Sequence, residues 1–340
     1  MDESEIGMQN VMDLSVVIPV FRSQDHLRSL VQRLLPVLDG TGLSYEVVFV
    51  DDGSPDNSWQ VLNELQRERP DCIVAFQLMR NYGQHNALMC GFRHCRGRLI
   101  ATMDDDLQNP PEALPALLEE LRSRNLDLVY GAPRISRHDP GRNIGSALVH
   151  AFYRFVFKTP VTISSFRVLR RELVDSILTY SLNFTIVDGL LAWNTTRIGQ
   201  VSVEHDPRRH GRSGYSFCKL VVHALNLFTN FSLIPLQLIS ATGFAAAGCG
   251  LIVAAYSLTQ YFLNNIAVPG YASIIVSVLV LGGIQLLSLG VMGEYLGRLH
   301  LNVNRKPQYT IRNVSDARVE GFPPRQTVDE PVAEMIEREA

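Results

Sequence analysis

The sequence predicts an α/β protein: a mixed, mostly parallel, doubly wound sheet followed by two C-terminal transmembrane helices. Three observations carry this. Apolar runs of strand length alternate with helical periodicity through the N-terminal part of the chain. Acidic clusters follow two of those runs. Residues 220–293 contain no Asp, Glu, Lys or Arg, whereas charges of both signs are frequent upstream.

Residues 14–20 (LSVVIPV) form one continuous apolar run, which suits a strand buried on both faces. Leu27, Leu30, Val31, Leu34 and Leu35 then recur on one helical face. Residues 45–50 (YEVVFV) read as a second strand ending in Asp51-Asp52-Gly53-Ser54, with a helix over 57–67. A third strand covers 73–78, and a third helix, with Gly91 inside it, covers 84–95. A fourth strand, 98–103 (RLIATM), ends in Asp104-Asp105-Asp106. Pro110-Pro111-Glu112 opens another helix, because first-turn N–H groups lack intrahelical partners and Pro is tolerated there. Residues 126–130 give a fifth strand. Such alternation implies a doubly wound sheet. Ligands of these sheets sit outside the carboxyl ends of the strands, so the two acidic clusters can share one crevice.

The second half changes solvent. Residues 233–257 and 273–295 are each long enough to cross a hydrocarbon core, which takes about 20 helical residues. Burial of both in a soluble core is the alternative, and a charge-free stretch of this length disfavours it. Arg298, Arg305, Lys306 and Arg312 follow the second span and place that end in the cytoplasm. Two crossings put the N-terminal domain on the same side. The expected organisation is a cytoplasmic domain over 1–216, two spans within 232–297, and a cytoplasmic tail over 298–340, anchored as a multi-pass protein of the inner membrane. Residues 217–231 mix Lys219, His223 and Asn226 with Leu220, Val221, Leu225, Leu227 and Phe228, and suit a helix lying in the membrane interface. Beyond about Val314 the tail is charged and poor in aromatics, so weak order is expected there.

Other classes are set aside. The acidic start Met-Asp-Glu-Ser-Glu is no secretory signal. The five cysteines, Cys72, Cys90, Cys95, Cys218 and Cys249, show no Cys-x-x-Cys spacing, so free thiols in a reducing compartment are expected. A net charge of -3 with no basic stripe gives no reason to expect nucleic acid.

The string Asp104-Asp105-Asp106-Leu107-Gln108-Asn109-Pro110-Pro111-Glu112 carries the chemistry. Two carboxylates spaced one apart at a strand end can hold a hard cation such as Mg²⁺ or Mn²⁺. Such a cation can neutralise a diphosphate leaving group. An Asp-x-Asp triplet alone is as often a solvated loop end or a helix cap; the nine-residue string after a buried strand is more specific. Asp51-Asp52-Gly53-Ser54-Pro55-Asp56 fits two readings, a turn with a helix cap or a nucleoside contact. In the second, a carboxylate accepts from a base or ribose donor and Gly53 lets the backbone come close.

Four segments, Ile18-Pro19-Val20, Val50-Asp51-Asp52-Gly53-Ser54, Arg80-Asn81-Tyr82-Gly83-Gln84-His85 and 104–112, occur in the order seen in inverting family 2 glycosyltransferases. The chain most resembles the polyprenyl-phosphate branch: dolichol-phosphate mannose synthase and the undecaprenyl-phosphate glucosyltransferases and formamido-arabinose transferases. Ser165-Phe166-Arg167 with Arg170-Arg171, and Arg208-x-x-Gly211-x-Ser213-x-Tyr215-Ser216, resemble further blocks of that branch. The likeness spans roughly residues 14–309.

The resemblance implies a nucleotide-diphospho-sugar transferase (GT-A) fold. It assigns Pro19, Val20, Asp51, Asp52, Gly53, Asn81 and Asp104 to the nucleotide, and Asp104, Asp106 and Gln108 to catalysis and to a Mg²⁺ or Mn²⁺ ion. Arg134, Arg167 and Arg208, with Ser213 and Tyr215, would grip the acceptor phosphate, a role suited to the planar guanidinium. A surface ion pair is the alternative for any one of these arginines. The implied partners are a UDP- or GDP-linked sugar, a polyprenyl (undecaprenyl) phosphate and, by resemblance only, further copies of the chain, as in a tetramer.

The chain also departs from the family pattern. Arg22-Ser23 stands where Asn-Glu is usual, and Asp105 where a small residue is usual. Thr162 replaces a usual Asp, and Gly214 a usual Lys. For Asp105 two roles are open, pointing away from the metal or modulating it. The implied reaction is one in-line displacement at the anomeric carbon with inversion. A phosphate monoester, with its second pKa near about 6, is largely ionised at neutral pH and needs no strong base. For a hydroxyl acceptor, Asp104 or Asp105 could serve as base. A processive synthase is disfavoured, because no Gln-x-x-Arg-Trp block precedes the spans. A non-catalytic scaffold or translocation partner would have no physical need for clustered carboxylates.

Overall fold

The computed structural model describes residues 12–133, 161–180, 186–204, 234–263, 271–303 and 307–317. Arg134, Arg208, Ser213, Tyr215 and the interface segment 217–231 lie outside them. The chain divides into two compact units, one built from 1–181, 185–211 and 307–340, the other from 182–184 and 212–306.

The first unit holds an eight-stranded sheet. Its elements are β1 (Met12–Val20), α1 (Leu27–Gly40), β2 (Tyr45–Asp51), α2 (Ser58–Glu68), β3 (Ile73–Leu78), α3 (Gln84–His94) and β4 (Gly97–Thr102). A 3-10 turn (Pro111–Ala113), α4 (Leu114–Ser123), β5 (Leu128–Pro133), β6 (Arg167–Arg170), α5 (Arg171–Leu178), α6 (Val187–Asn194), β7 (Ile198–Val203) and β8 (Ile311–Ser315) complete it. Each of the five strands expected from the sequence is present, with ends shifted by three residues at most. The proline string opens as the 3-10 turn before it continues as α4.

The physical basis is visible in burial. Residues 14–20 of β1 are all buried, as a central parallel strand requires. Leu27, Leu30, Val31, Leu34, Leu35 and Leu38 form the buried stripe of α1. Gly91 is explained by packing: a Cβ there would come within 2.3 Å of Val17 Cγ1, so α3 lies directly on β1.

Strand order is β7-β5-β6-β4-β1-β2-β3-β8. The pairs β1–β2, β1–β4, β2–β3 and β5–β7 are parallel, while β6 and β8 run antiparallel to their neighbours. Chain direction along the sheet reverses at β1, whose neighbours are β2 on one side and β4 on the other. That is the switch point at which the carboxyl ends open a crevice. Asp51-Asp52 and 104–106 follow the strands that flank β1.

Strand β8 was not expected from the sequence. It is an edge strand pairing Ala75 with Ser315 and Phe76 with Val314, and the tail beyond residue 317, where weak order is expected, lies outside the described residues. The strand covers the β3 edge, whose backbone groups would otherwise lack partners.

The second unit contains α7 (Ile234–Phe262, 29 residues) and α8 (Tyr271–Val303, 33 residues), which contact one another. Apolar residues surround both helices rather than forming a stripe. Judged on the described residues alone, no helix is long and apolar enough to cross a membrane. Large apolar side chains, among them Phe244, Ile252, Val278, Leu286 and Leu296, are nonetheless exposed.

Candidate active site

A cleft of about 310 Å³ opens at the switch point, lined by Pro19 and Val20 at the end of β1, Phe21 just after it, Asp52 after β2, Asn81, Gly83 and Gln84 before and in α3, and Asp104, Asp105 and Asp106 after β4. Of the residues the sequence assigned to nucleotide, Pro19, Val20, Asp52, Asn81 and Asp104 meet here. Phe21, Gly83, Gln84 and Asp105 were not assigned to the nucleotide or the metal; all four lie within or beside motifs already singled out.

Asp51 is fully buried, away from the cleft wall. It accepts from the Ser54 N–H (3.0 Å) and the Gln77 amide (3.2 Å), and burial raises its carboxyl above the usual range. It braces the β2 turn. Gly53 has φ +64°, and a Cβ there would come within 2.6 Å of the Arg80 carbonyl carbon. The turn and the 80–83 loop are thus in direct backbone contact. Asp52 accepts from the Tyr82 N–H (2.7 Å) and the Gly83 N–H (2.8 Å), which fixes the loop carrying Asn81. Burial pushes Asp52 up to about 6, against the lowering by those two bonds.

After β4, each carboxylate has its own partners. Asp104 accepts from Gln84 Nε2 (2.6 Å) on one oxygen and from Ser165 Oγ on the other. Desolvation raises its pKa. Asp105 accepts from the Phe21 N–H (3.3 Å) and from Ser23 Oγ on a single oxygen, and burial pushes it up to about 6. Asp106 accepts from the Gln108 N–H (3.2 Å) and its side-chain amide; Leu107, at φ +60°, turns the chain back to allow this. Gln108 itself does not line the cleft.

Arg167, assigned by resemblance to the acceptor phosphate, does not reach the cleft. It is fully buried, pairs with Asp188 and donates through Nε to Thr102 Oγ1 at 3.1 Å. Tyr130 donates to the same Asp188 oxygen at 2.9 Å. Thr102 in turn donates to the Ser165 carbonyl, and the Ser165 hydroxyl holds Asp104. The guanidinium is therefore the counter-charge of a buried acid beneath Asp104. Sequence reading missed Asp188 because it lies 21 residues away on another element.

The donor chemistry fits a hard divalent cation: Asp104 and Asp106 offer carboxylate oxygens side by side at the cleft wall. Among the described residues no three His, Cys, Asp or Glu side chains converge as a closed cage. Mg²⁺ and Mn²⁺ sites of the phosphate-bridging kind need only one or two carboxylates, the phosphates and water completing the shell.

A mixed, mostly parallel sheet opened at its switch point over paired carboxylates is a GT-A-like α/β fold. Residues 15–178 match the model of glycosyl transferase family 2. The chain belongs to that family and, within it, groups with polyprenyl-phosphate transferases. It is 34% identical over 313 residues to an undecaprenyl-phosphate 4-deoxy-4-formamido-L-arabinose transferase of Pseudomonas fluorescens, covering 88% of this chain and 89% of that protein. Its counterpart in Edwardsiella ictaluri is 33% identical over 90% of this chain and 95% of the relative. A glycosyltransferase of Synechocystis sp. of unassigned activity is 33% identical over 89% and 96%. Among solved structures, glucosyl-3-phosphoglycerate synthase from Mycobacterium tuberculosis, crystallised with Mn²⁺ and UDP-glucose, aligns at 17% identity over 64% of this chain and 79% of that one, with a TM-score of 0.47.

Proposed function

We propose that the protein transfers one sugar from a nucleotide-sugar, UDP-linked in the first instance, to undecaprenyl or a related polyprenyl phosphate, with inversion and a divalent metal. The observation that carries this is the convergence of Asp52, Asn81, Asp104 and Asp106 on one cleft, in a chain whose full-length relatives act on undecaprenyl phosphate. Asp104 and Asp106, with Gln108 beside them, would hold the metal, which neutralises the departing diphosphate when bound. Gln84 and Ser165 orient Asp104 for that task. Pro19, Val20, Asp52 and Asn81 form the nucleoside side, with Asp51 and Gly53 fixing the turn beneath it. Arg134, Arg208, Ser213 and Tyr215 are assigned to the acceptor phosphate. Two anions must meet in line, so positioning and charge compensation are the main tasks.

The membrane assignment rests on the full sequence. Helices of 29 and 33 residues extend about 44 and 50 Å at 1.5 Å per residue, more than a hydrocarbon core of about 30 Å. Their exposed apolar side chains would be costly in water. Because β8 rejoins the sheet at β3, the chain leaves and re-enters one domain, which demands an even number of crossings. The cytoplasmic face of the inner membrane follows from the basic residues after α8.

The test is transfer by purified full-length protein from a panel of UDP- and GDP-sugars to undecaprenyl phosphate, with Mn²⁺ or Mg²⁺. A lipid-linked monosaccharide that disappears on chelation and returns with metal is expected. Transfer undiminished by a chelator would refute the metal assignment, and no product from any donor would refute the acceptor assignment.

A further inference from the structure

The third carboxylate of the triplet faces a different element from its neighbours. Asp105 reaches across from β4 to the turn that follows β1, where one of its oxygens accepts from both the Phe21 N–H and the Ser23 hydroxyl. Between them Arg22 has φ +58°, a left-handed conformation that is unfavourable for a residue with a Cβ. Such a conformation persists only where surrounding contacts hold it. Here the holders can be named. Arg22 N–H donates to Ser54 Oγ at 3.0 Å and Ser23 N–H to Ser58 Oγ at 2.9 Å, both from the β2 side, while Asp105 binds the turn from the β4 side. The turn carries Phe21, whose partly exposed ring is part of the cleft wall, with the Arg22 guanidinium 5.3 Å from the ring centroid. Asp105 and Ser23 are also two of the positions at which the chain departs from the family pattern, and they are bonded to each other.

We propose that Asp105 is a positioning residue for the donor nucleotide: it locks the left-handed Phe21–Arg22–Ser23 turn and so fixes one wall of the nucleotide cleft, leaving metal binding to Asp104 and Asp106. This rests on the nucleotide-sugar reading of the cleft. It makes the triplet two devices, an outer pair for the cation and a central carboxylate for the loop.

The experiment measures UDP affinity by calorimetry and Mn²⁺ affinity by electron paramagnetic resonance on the full-length protein in detergent, with donor KM and kcat alongside. Asp105→Ala should weaken UDP binding and raise donor KM about tenfold, the loss of two hydrogen bonds to one half-buried oxygen, with Mn²⁺ affinity within about twofold. Asp105→Asn keeps an acceptor oxygen and should stay within about threefold of wild type in UDP affinity. Arg22→Gly removes the backbone penalty, so in the Asp105→Ala background it should restore most of the lost UDP affinity, measured against Arg22→Gly alone. Ser23→Ala, which leaves the β4 carboxylates untouched, should weaken UDP about threefold if Asp105→Ala fails to fold. Loss of Mn²⁺ affinity in Asp105→Ala that Asn does not rescue would make Asp105 a metal ligand and overturn the proposal. So would unchanged UDP affinity in Asp105→Ala, or no rescue by Arg22→Gly. If wild type binds neither UDP nor GDP, the functional reading itself has failed, which is a distinguishable result.

Discussion

The ends of β2 and β4 look alike in sequence and are built for different work. Both carry adjacent carboxylates next to one crevice, but at β2 only Asp52 lines it. At β2, Asp52 accepts from the backbone N–H groups of Tyr82 and Gly83, while Asp51 accepts from the Ser54 N–H and the Gln77 amide. The backbone donors cannot leave without moving the chain, so the carboxylates fix loops. At β4, Asp104 is held by the side chains of Gln84 and Ser165, and Asp106 by the backbone N–H and the side-chain amide of Gln108. A side-chain donor can rotate away when a cation or phosphate arrives. The contrast is clearest between Asp52, held by two backbone donors, and Asp104, held by two side chains. Asp105, like Asp106, has one backbone and one side-chain donor, but its donors come from the turn after β1.

The largest expected effect lies at β4. Asp106→Ala should cut transfer by about 10²–10³-fold while the protein stays folded and still binds UDP without metal, the scale seen when charge stabilisation at a leaving group is removed. Near-normal turnover in that variant would erase the contrast between the two ends. Next comes Gly53→Ala at β2. With φ +64° and a Cβ within 2.6 Å of Arg80 backbone, it should destabilise the protein by about 2 kcal/mol or more. Thermal unfolding in detergent reads this, and an unchanged midpoint would mean the two loops part readily.

Asp52→Asn sharpens the comparison further, because the amide can accept from only one of the two loop N–H groups in the present geometry. A nucleotide affinity loss of about tenfold is expected, with metal affinity retained. A pH dependence follows as well. Burial raises Asp52 from 3.8 to about 6, so the folded protein holds this proton more tightly than the unfolded chain. Its contribution to stability therefore falls as pH rises from about 4 to about 6 and is constant above. The difference in unfolding midpoint between wild type and Asp52→Asn should shift across that window in the direction of wild-type loss; a pH-independent difference would contradict the burial account. The smallest effect belongs to Asp51→Asn. Its carboxylate faces Ser54 and Gln77 rather than the cleft, and UDP affinity should change by less than about twofold. A tenfold loss there would return Asp51 to the ligand contacts that the family resemblance implied.

Much of the first unit was legible along the chain. Strands of parallel type announce themselves as unbroken apolar runs, and helix α1 as a one-sided stripe, because burial on two faces or one is a local pattern. The acidic strings were legible for the same reason, as polar residues abutting an apolar run. The strand β6 was not, since residues 167–170 (RVLR) carry charge at both ends and form a strand only between β4 and β5. Nor was β8, whose partner lies some 236 residues away in sequence, as the Gln77–Asn313 hydrogen bond shows.

By itself, then, the sequence determined the α/β alternation, the placing of acids at two strand ends, and a second half too free of charge to belong with the first. Tertiary structure alone decided which acid faces the cleft, which braces a turn, and that Arg167 answers to Asp188. The reason is physical. Residue type and spacing fix where a carboxylate is along the chain, but its role depends on the donors that packing brings to its two oxygens, and for Asp104 and Asp105 those include residues 20 to 82 positions distant.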